Sequence, residues 1–189
     1  MTARASAIAL LLALLILSCS RGERSCGPST GSAPVDAALL AFLSRARAAH
    51  HIADAQEEHQ PQEALKTLLS IVEGPLPGRP DTRPAEVLEV LADTAARVAD
   101  LESQAEDFEA AVHSVSNALS WVPEPSYFRG HLYEVMGLVE ERRSRALTRA
   151  GNTAAAEAAK NRALLAFEQS MTIQAEVIRS SSTDAGKWQ

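Results

Sequence analysis

Between Phe108 and Val122 the apolar residues Phe108, Ala111, Val112, Val115, Ala118, Leu119 and Val122 recur at steps of three and four, and this spacing constrains the fold more than any other feature. An α-helix turns once in 3.6 residues, so the spacing lays one continuous apolar stripe along a helix. A strand would split the same residues between two faces. Pro123, with no N–H to donate, predicts the end of that helix. A similar stripe runs through Leu88, Leu91, Ala95 and Val98, with Pro84 suited to its first turn. Another follows Phe128, Leu132, Val135, Met136 and Val139 as far as Ala150, where Gly151 offers a left-handed cap. Asn152-Thr153 then supply an N-cap for a long helix carrying Ala159, Ala163, Phe167, Met171 and Ile178. Residues 36–56 and 61–73 form an earlier pair, broken near Pro61. No segment sustains period-2 alternation. The pattern therefore predicts an all-α chain of six helices in three antiparallel hairpins, a helical solenoid or bundle, with proline-bearing joints at 74–84 and 123–125.

Composition sets the kind of core these helices can build. Eight aromatic residues serve all 189 positions, so Ala, Leu and Val must fill the interior. Such packing brings helix axes close together and leaves few rings on which a sugar or base could stack.

The N-terminus carries a separate instruction. Arg4 precedes the uncharged run Ala5 to Leu17, and Ser18-Cys19-Ser20-Arg21 follow, which is the build of a secretory signal: cationic start, apolar middle, small residue at the cut. The uncharged stretch between Arg4 and Arg21 is shorter than the ~20 residues that cross ~30 Å of hydrocarbon. An ordinary signal peptide cut later, or an uncleaved anchor, would share that run. The tetrad Ile16-Leu17-Ser18-Cys19 resembles the lipobox of bacterial lipoproteins. That resemblance implies cleavage before Cys19 and acylation of Cys19. It further implies a lipid-anchored, periplasm-facing protein of the bacterial cell envelope, in the outer membrane since Ser20 rather than Asp follows. On this reading residues 1–18 are a signal peptide, 19–33 a lipidated flexible linker, 34–179 the helical domain and 180–189 a disordered C-terminal tail.

Processing leaves 17 basic against 24 acidic residues, a formal charge of −7. An acidic chain has no electrostatic reason to bind nucleic acid, whose recognition needs a basic face to displace counterions. With Cys19 carrying lipid, Cys26 stands alone in the linker, so no intrachain disulfide is expected within the helical region.

Three helices share small or apolar residues at relative positions 0, 4 and 7: Ala64, Leu68, Ile71; Ala111, Val115, Ala118; and Ala163, Phe167, Ser170. This pattern, with Pro123 shortly after Ala118, resembles the second helix of tetratricopeptide repeats. Tyr133, Met136 and Gly137 match the aromatic, apolar and small positions of that family's first helix. The starting alanines stand 47 and 52 residues apart against ~34 in the family. Gly137 precedes Ala163 by 26 residues, an excess that two extra turns on each helix would absorb. The resemblance implies a partner-binding surface made by first helices. Carried over from Ala111 and Gly137, its positions are Asp93, Ala96, Asp100, His131, Glu134, Leu138, Glu141 and Arg142, a mostly acidic set suited to a basic or amphipathic segment.

Catalytic frames are missing. His50, His51, His59, His113 and His131 fit no metal-ligand spacing, and there is no phosphate-cradling glycine loop or nucleophile elbow. Glu140-Glu141-Arg142-Arg143 reads as an exposed face with intrahelical pairing. The expectation is a non-enzymatic envelope lipoprotein with no cofactor, no metal and no small-molecule substrate, whose hairpins dock another envelope protein. A structural spacer, oligomeric through Ala-rich faces, is the alternative, and a hydrolytic enzyme comes third.

Overall fold

The computed structural model of the chain describes residues 36–185. Among them every regular element is helical: α1 (Ala37–Gln56), α2 (Pro61–Val72), α3 (Ala85–Gln104), α4 (Phe108–Trp121), α5 (Tyr127–Arg149) and α6 (Thr153–Ala185), with one 3-10 turn at Pro80–Thr82. The all-α fold that the periodicity predicts is the fold observed. The signal peptide, Cys19, Cys26, the linker and Trp188 lie outside the described residues. One boundary differs: α6 runs on to Ala185 instead of stopping at 179. The hydroxyls of Ser180 and Ser181 donate to the Val177 carbonyl and that of Ser182 to Ile178, so these polar residues are accommodated within the helix.

Side-chain caps fix where helices start. Asp36 accepts from the N–H groups of Ala38 and Leu39, Asp107 from Ala110, Ser126 from Arg129 and Asn152 from Ala155. Each satisfies amide donors that the first helical turn leaves unpaired. Arg129 also donates to the carbonyls of Leu119 and Val122, closing the C-terminal end of α4 across the proline joint. The tight α3–α4 turn places Glu106 at φ 62°, and Gly151 takes φ 78° before α6.

Packing is sequential. Each helix meets the next, α3 also meets α1 and α5, and no other pair of described helices touches. The array is therefore open: α6 rests on α5 alone. Within it α3 is buried on three sides, through Val87, Leu91, Ala92, Thr94, Ala95, Ala96, Val98, Ala99, Leu101 and Ser103. Its remaining side is a polar stripe, Glu86, Glu89, Asp93, Arg97, Asp100 and Gln104, at steps of three and four. Ala92, Ala95, Ala96 and Ala99 on α3 and Ala111 and Ala118 on α4 are almost fully buried, consistent with axes drawn close by small side chains.

Eight of the nine residues in the 0, 4, 7 pattern are buried, and Phe167 is half-buried. The α5–α6 hairpin departs from expectation. Its helices have 23 and 33 residues, so they lengthen unequally. Gly137 consequently faces Phe167: a Cβ on Gly137 would stand 2.5 Å from a Phe167 ring carbon. Nearby, Glu140 is 5% exposed and takes both Nε and Nη2 of Arg162, at 2.9 and 2.8 Å. The exposed reading of residues 140–143 is thus corrected. Glu140 reaches α6, Arg142 reaches α3 and Arg143 reaches Glu109 on α4, while the intrahelical pairing expected within α5 is present as Arg143–Glu140 at 3.9 Å and Glu141–Arg145.

Gly137→Ala should lower unfolding stability by about 1–2 kcal/mol, because overpacking against the ring outweighs the ~1 kcal/mol of helix propensity gained. In a Phe167→Ala background the same change should stabilise. Urea denaturation of the four proteins checks the sign reversal.

Candidate functional site

Polar stripes on α1, α3 and α5 come together on one face, because α3 lies between the other two and touches both. Arg97 bridges α3 to α1, with Nη2 2.7 Å from Asp54 Oδ1 and 3.1 Å from Glu57 Oε2. Arg142 bridges α5 to α3, with Nη1 2.6 Å from Asp100 Oδ1 and 2.7 Å from Ser103 Oγ. The two bridges set the spacing of the three helices at this face. Between α1 and α3 they leave a cleft of about 300 Å³ whose walls combine Leu43, Ala46 and Val90 with Arg47, His50, His51 and Asp93.

The sequence-derived residues divide into three groups. Asp93 lines the cleft, and Asp100 and Arg142 form the α3–α5 bridge. His131, Glu134, Leu138 and Glu141 lie further along α5, each half-buried or exposed, on the helix face that Tyr127 begins. The imidazole of His131 stacks on Tyr127 with centroids 6.1 Å apart and sits 3.3 Å from Glu134. Ala96 does not belong to this surface: it is 1% exposed in the core between α3, α4 and α5.

Charge is the second correction. Asp93 faces His50, Asp100 holds Arg142, Glu134 meets His131 and Glu141 holds Arg145. Arg142 and Arg145 thus neutralise Asp100 and Glu141, while Asp93 and Glu134 meet imidazoles that carry charge only when protonated, so the expected acidic surface is compensated in part. Sequence reasoning missed Arg47, His50, Asp54 and Arg97. The signal was present, since the 0, 4, 7 pattern at Ala64 implies that the preceding helix contributes to the same face as the other first helices.

His50 is the most constrained titratable group there. Thr94 is fully buried, and its hydroxyl donates to the Val90 carbonyl at 2.7 Å. Its oxygen must then accept from His50 Nε2–H in their 2.9 Å contact. That leaves Nδ1 facing Asp93 Oδ2 at 3.9 Å. Burial pushes the imidazole pKa below its ordinary 6.5; Asp93 and Asp54 oppose the shift, whereas Arg97 and His51 add to it.

A second cleft, about 320 Å³, opens between α2, α3 and α4, with Leu69, Val98 and Trp121 among its walls. Glu102 lies in it, accepting a 2.8 Å hydrogen bond from Ser114, and burial raises its carboxyl pKa above 4.5. A single shifted carboxyl with a hydroxyl partner makes no catalytic constellation, which needs a nucleophile, a base and a charge-stabilising group converging. Among the described residues no group of three or more His, Cys, Asp or Glu could hold a metal ion, and no helix is long and apolar enough to cross a membrane. Compared with protein families, curated proteins and solved structures, the chain matches none.

The lowered pKa of His50 gives a pH test with a defined sign. Below pH 6.5 the unfolded chain binds more protons at this residue than the folded one, so its contribution to stability declines as pH falls from 6.5 through the depressed folded value. The stability difference between the parent and His50→Gln should therefore be constant at and above about pH 7.5 and shrink towards acid. Urea midpoints at stepped pH measure it; a difference that grows towards acid would contradict the assignment.

Proposed function

We propose that the chain is a lipid-anchored envelope protein of the bacterial periplasm that uses the α1–α3–α5 face to dock an amphipathic segment of another protein. The observation that carries the docking half is the α1–α3 cleft, where apolar Leu43, Ala46 and Val90 lie among half-buried or exposed charged groups on neighbouring helices. Such a surface supplies an apolar centre with a polar rim, as protein interfaces do. The sequential contact pattern, in which first helices meet first helices along one face, is the arrangement expected of tetratricopeptide-like hairpins and supports that resemblance. Mixed charge favours a partner carrying both signs over the purely basic one that the acidic residue count alone would select.

The lipid half rests on Ile16-Leu17-Ser18-Cys19. Acyl chains contribute about 0.8 kcal/mol per buried methylene, so two or more give stable attachment. Cys19→Ala should remain as uncleaved precursor or move to the soluble fraction. Processing and sedimentation identical to the parent would refute acylation at this residue.

Docking is tested separately by mild crosslinking of intact cells followed by purification. A discrete heterologous protein should be captured by the parent. Arg47→Glu combined with Asp93→Arg should reduce that capture at least tenfold, a loss of about 1.4 kcal/mol. Arg47 is exposed and Asp93 half-buried at the cleft rim, so helical circular dichroism should be unchanged. Equal capture by the variant would remove the cleft from the interface.

A further inference from the structure

Glu102, in the cleft between α2, α3 and α4, is a half-buried carboxylate for which the fold supplies no cation. It accepts a hydrogen bond from the Ser114 hydroxyl, and its charged neighbours are Asp107 and His113, with no Lys or Arg among them. Other carboxylates drawn towards the core are matched, Glu140 by Arg162, Asp100 by Arg142 and Glu57 by Arg97. Withdrawing a carboxylate from water without a partner costs free energy, which a cation arriving at the same place recovers. We infer that this cleft is a binding site for a small organic amine, whose ammonium group pairs with Glu102 while its apolar body lies against Leu69, Val72 and Trp121.

The cleft has its own side of the molecule. At 3.6 residues per turn, Ala95, Val98 and Glu102 fall on the side of α3 opposite Asp93, Arg97 and Asp100. α2 and α4 each pack on α3 and not on one another, so a groove remains between them with α3 as its floor. Trp121, in the last turn of α4, packs against the core shared by α1, α2 and α3 as well as the one around α4, and so bridges the groove. The cleft of about 320 Å³ has room for roughly ten water-sized groups at about 30 Å³ each, which suits a small molecule more than a chain segment.

Its charge is not taken up from within. The walls contribute Glu73 and Glu102 and no Lys or Arg. α4 contains neither cationic residue, and Arg97 of α3 is committed to Asp54 and Glu57 on the opposite side. Lys66 of α2 stands outside the cleft, its ammonium 3.9 Å from Glu63. Ser114, having given its hydrogen to Glu102, keeps oxygen lone pairs that accept from the same incoming ammonium. Leu69, Val72 and Trp121 are half-buried, so an apolar body removes further area from water there, and the indole adds a ring that attracts cations.

This site uses neither the α1–α3 cleft nor the lipid, so it stands or falls independently of the docking function. The probe is phenethylammonium, titrated into the detergent-solubilised full chain with isotope-labelled Leu and Val methyl groups. The methyl resonances of Leu69, Val72 and Val98 should shift and saturate with a Kd on the order of 1 mM, the class expected for so few atoms. Phenethyl alcohol, equal in size and uncharged, should bind at least tenfold more weakly. Glu102→Gln keeps the side-chain shape and an acceptor for Ser114; it should weaken the amine at least tenfold while leaving the alcohol and the helicity unchanged. No shifts, equal binding of amine and alcohol, undiminished amine binding by the variant, or shifts led by Leu43 and Val90 would each overturn the inference. A tenfold preference for acetyl-lysine methylamide with a free side-chain ammonium would also overturn it, by assigning the cleft to a lysine of another protein.

Discussion

The structure depends on how closely helices can approach α3. Ala92, Ala95, Ala96 and Ala99 are at most 2% exposed, and Ala111 and Ala118 of α4 are fully buried in the same core. Methyl-sized side chains let backbones come near enough for many small dispersion contacts, each of only about 0.1–0.2 kcal/mol, to accumulate. This kind of core tolerates little enlargement, because interiors are already packed to crystal-like density. Burial of α3 on three sides also dictates where its polar residues go. One open side remains, and Glu86, Glu89, Asp93, Arg97, Asp100 and Gln104 occupy it.

Alanine surfaces discriminate poorly between registers, since sliding one past another changes little. Charged pairs supply the missing discrimination. Arg97 to Asp54 and Glu57 joins α3 to α1, Arg142 to Asp100 joins α5 to α3, Arg143 to Glu109 joins α5 to α4, and Arg162 to Glu140 joins α6 to α5. Solvent-accessible pairs contribute about 0–1 kcal/mol each, so their role is positional more than energetic. Glu140 differs. At 5% side-chain exposure, its carboxylate takes a two-point contact from Arg162, and any slip of α6 along α5 leaves that buried charge with only the longer 3.9 Å approach of Arg143.

Helix extents were legible from sequence because each reports a local periodicity and a local cap, as Asp107, Ser126 and Asn152 show. Pairings between helices were less so. That Gly137 meets Phe167 depends on the relative lengths of α5 and α6 and on the turn at Gly151, which no offset within either helix encodes. Glu140 was misread as surface because charge outweighed position. It continues the row Leu132, Met136 at steps of four and so belongs to the buried side. The candidate face was half legible. Asp93, Asp100 and Arg142 were placed on it, but Ala96 was not separated from the core, and the contribution of α1 was overlooked.

Compensation of charge across this face changes what recognition there can rely on. A segment entering the α1–α3 cleft meets a carboxylate and a cation already matched in Asp54 and Arg97, while Asp93 faces an imidazole whose pKa burial lowers. Replacing one partly exposed ion pair by another is close to neutral, because each contributes at most about 1 kcal/mol. The net favourable contribution must then come from apolar area removed from water at the half-buried Leu43 and Val90, at about 25 cal/mol per Å². Charges on the partner would select orientation and register along the face more than they add affinity. A long-range acidic field is also weakened by the interleaved cations, so association at this face should depend only modestly on ionic strength despite the acidic balance of the chain.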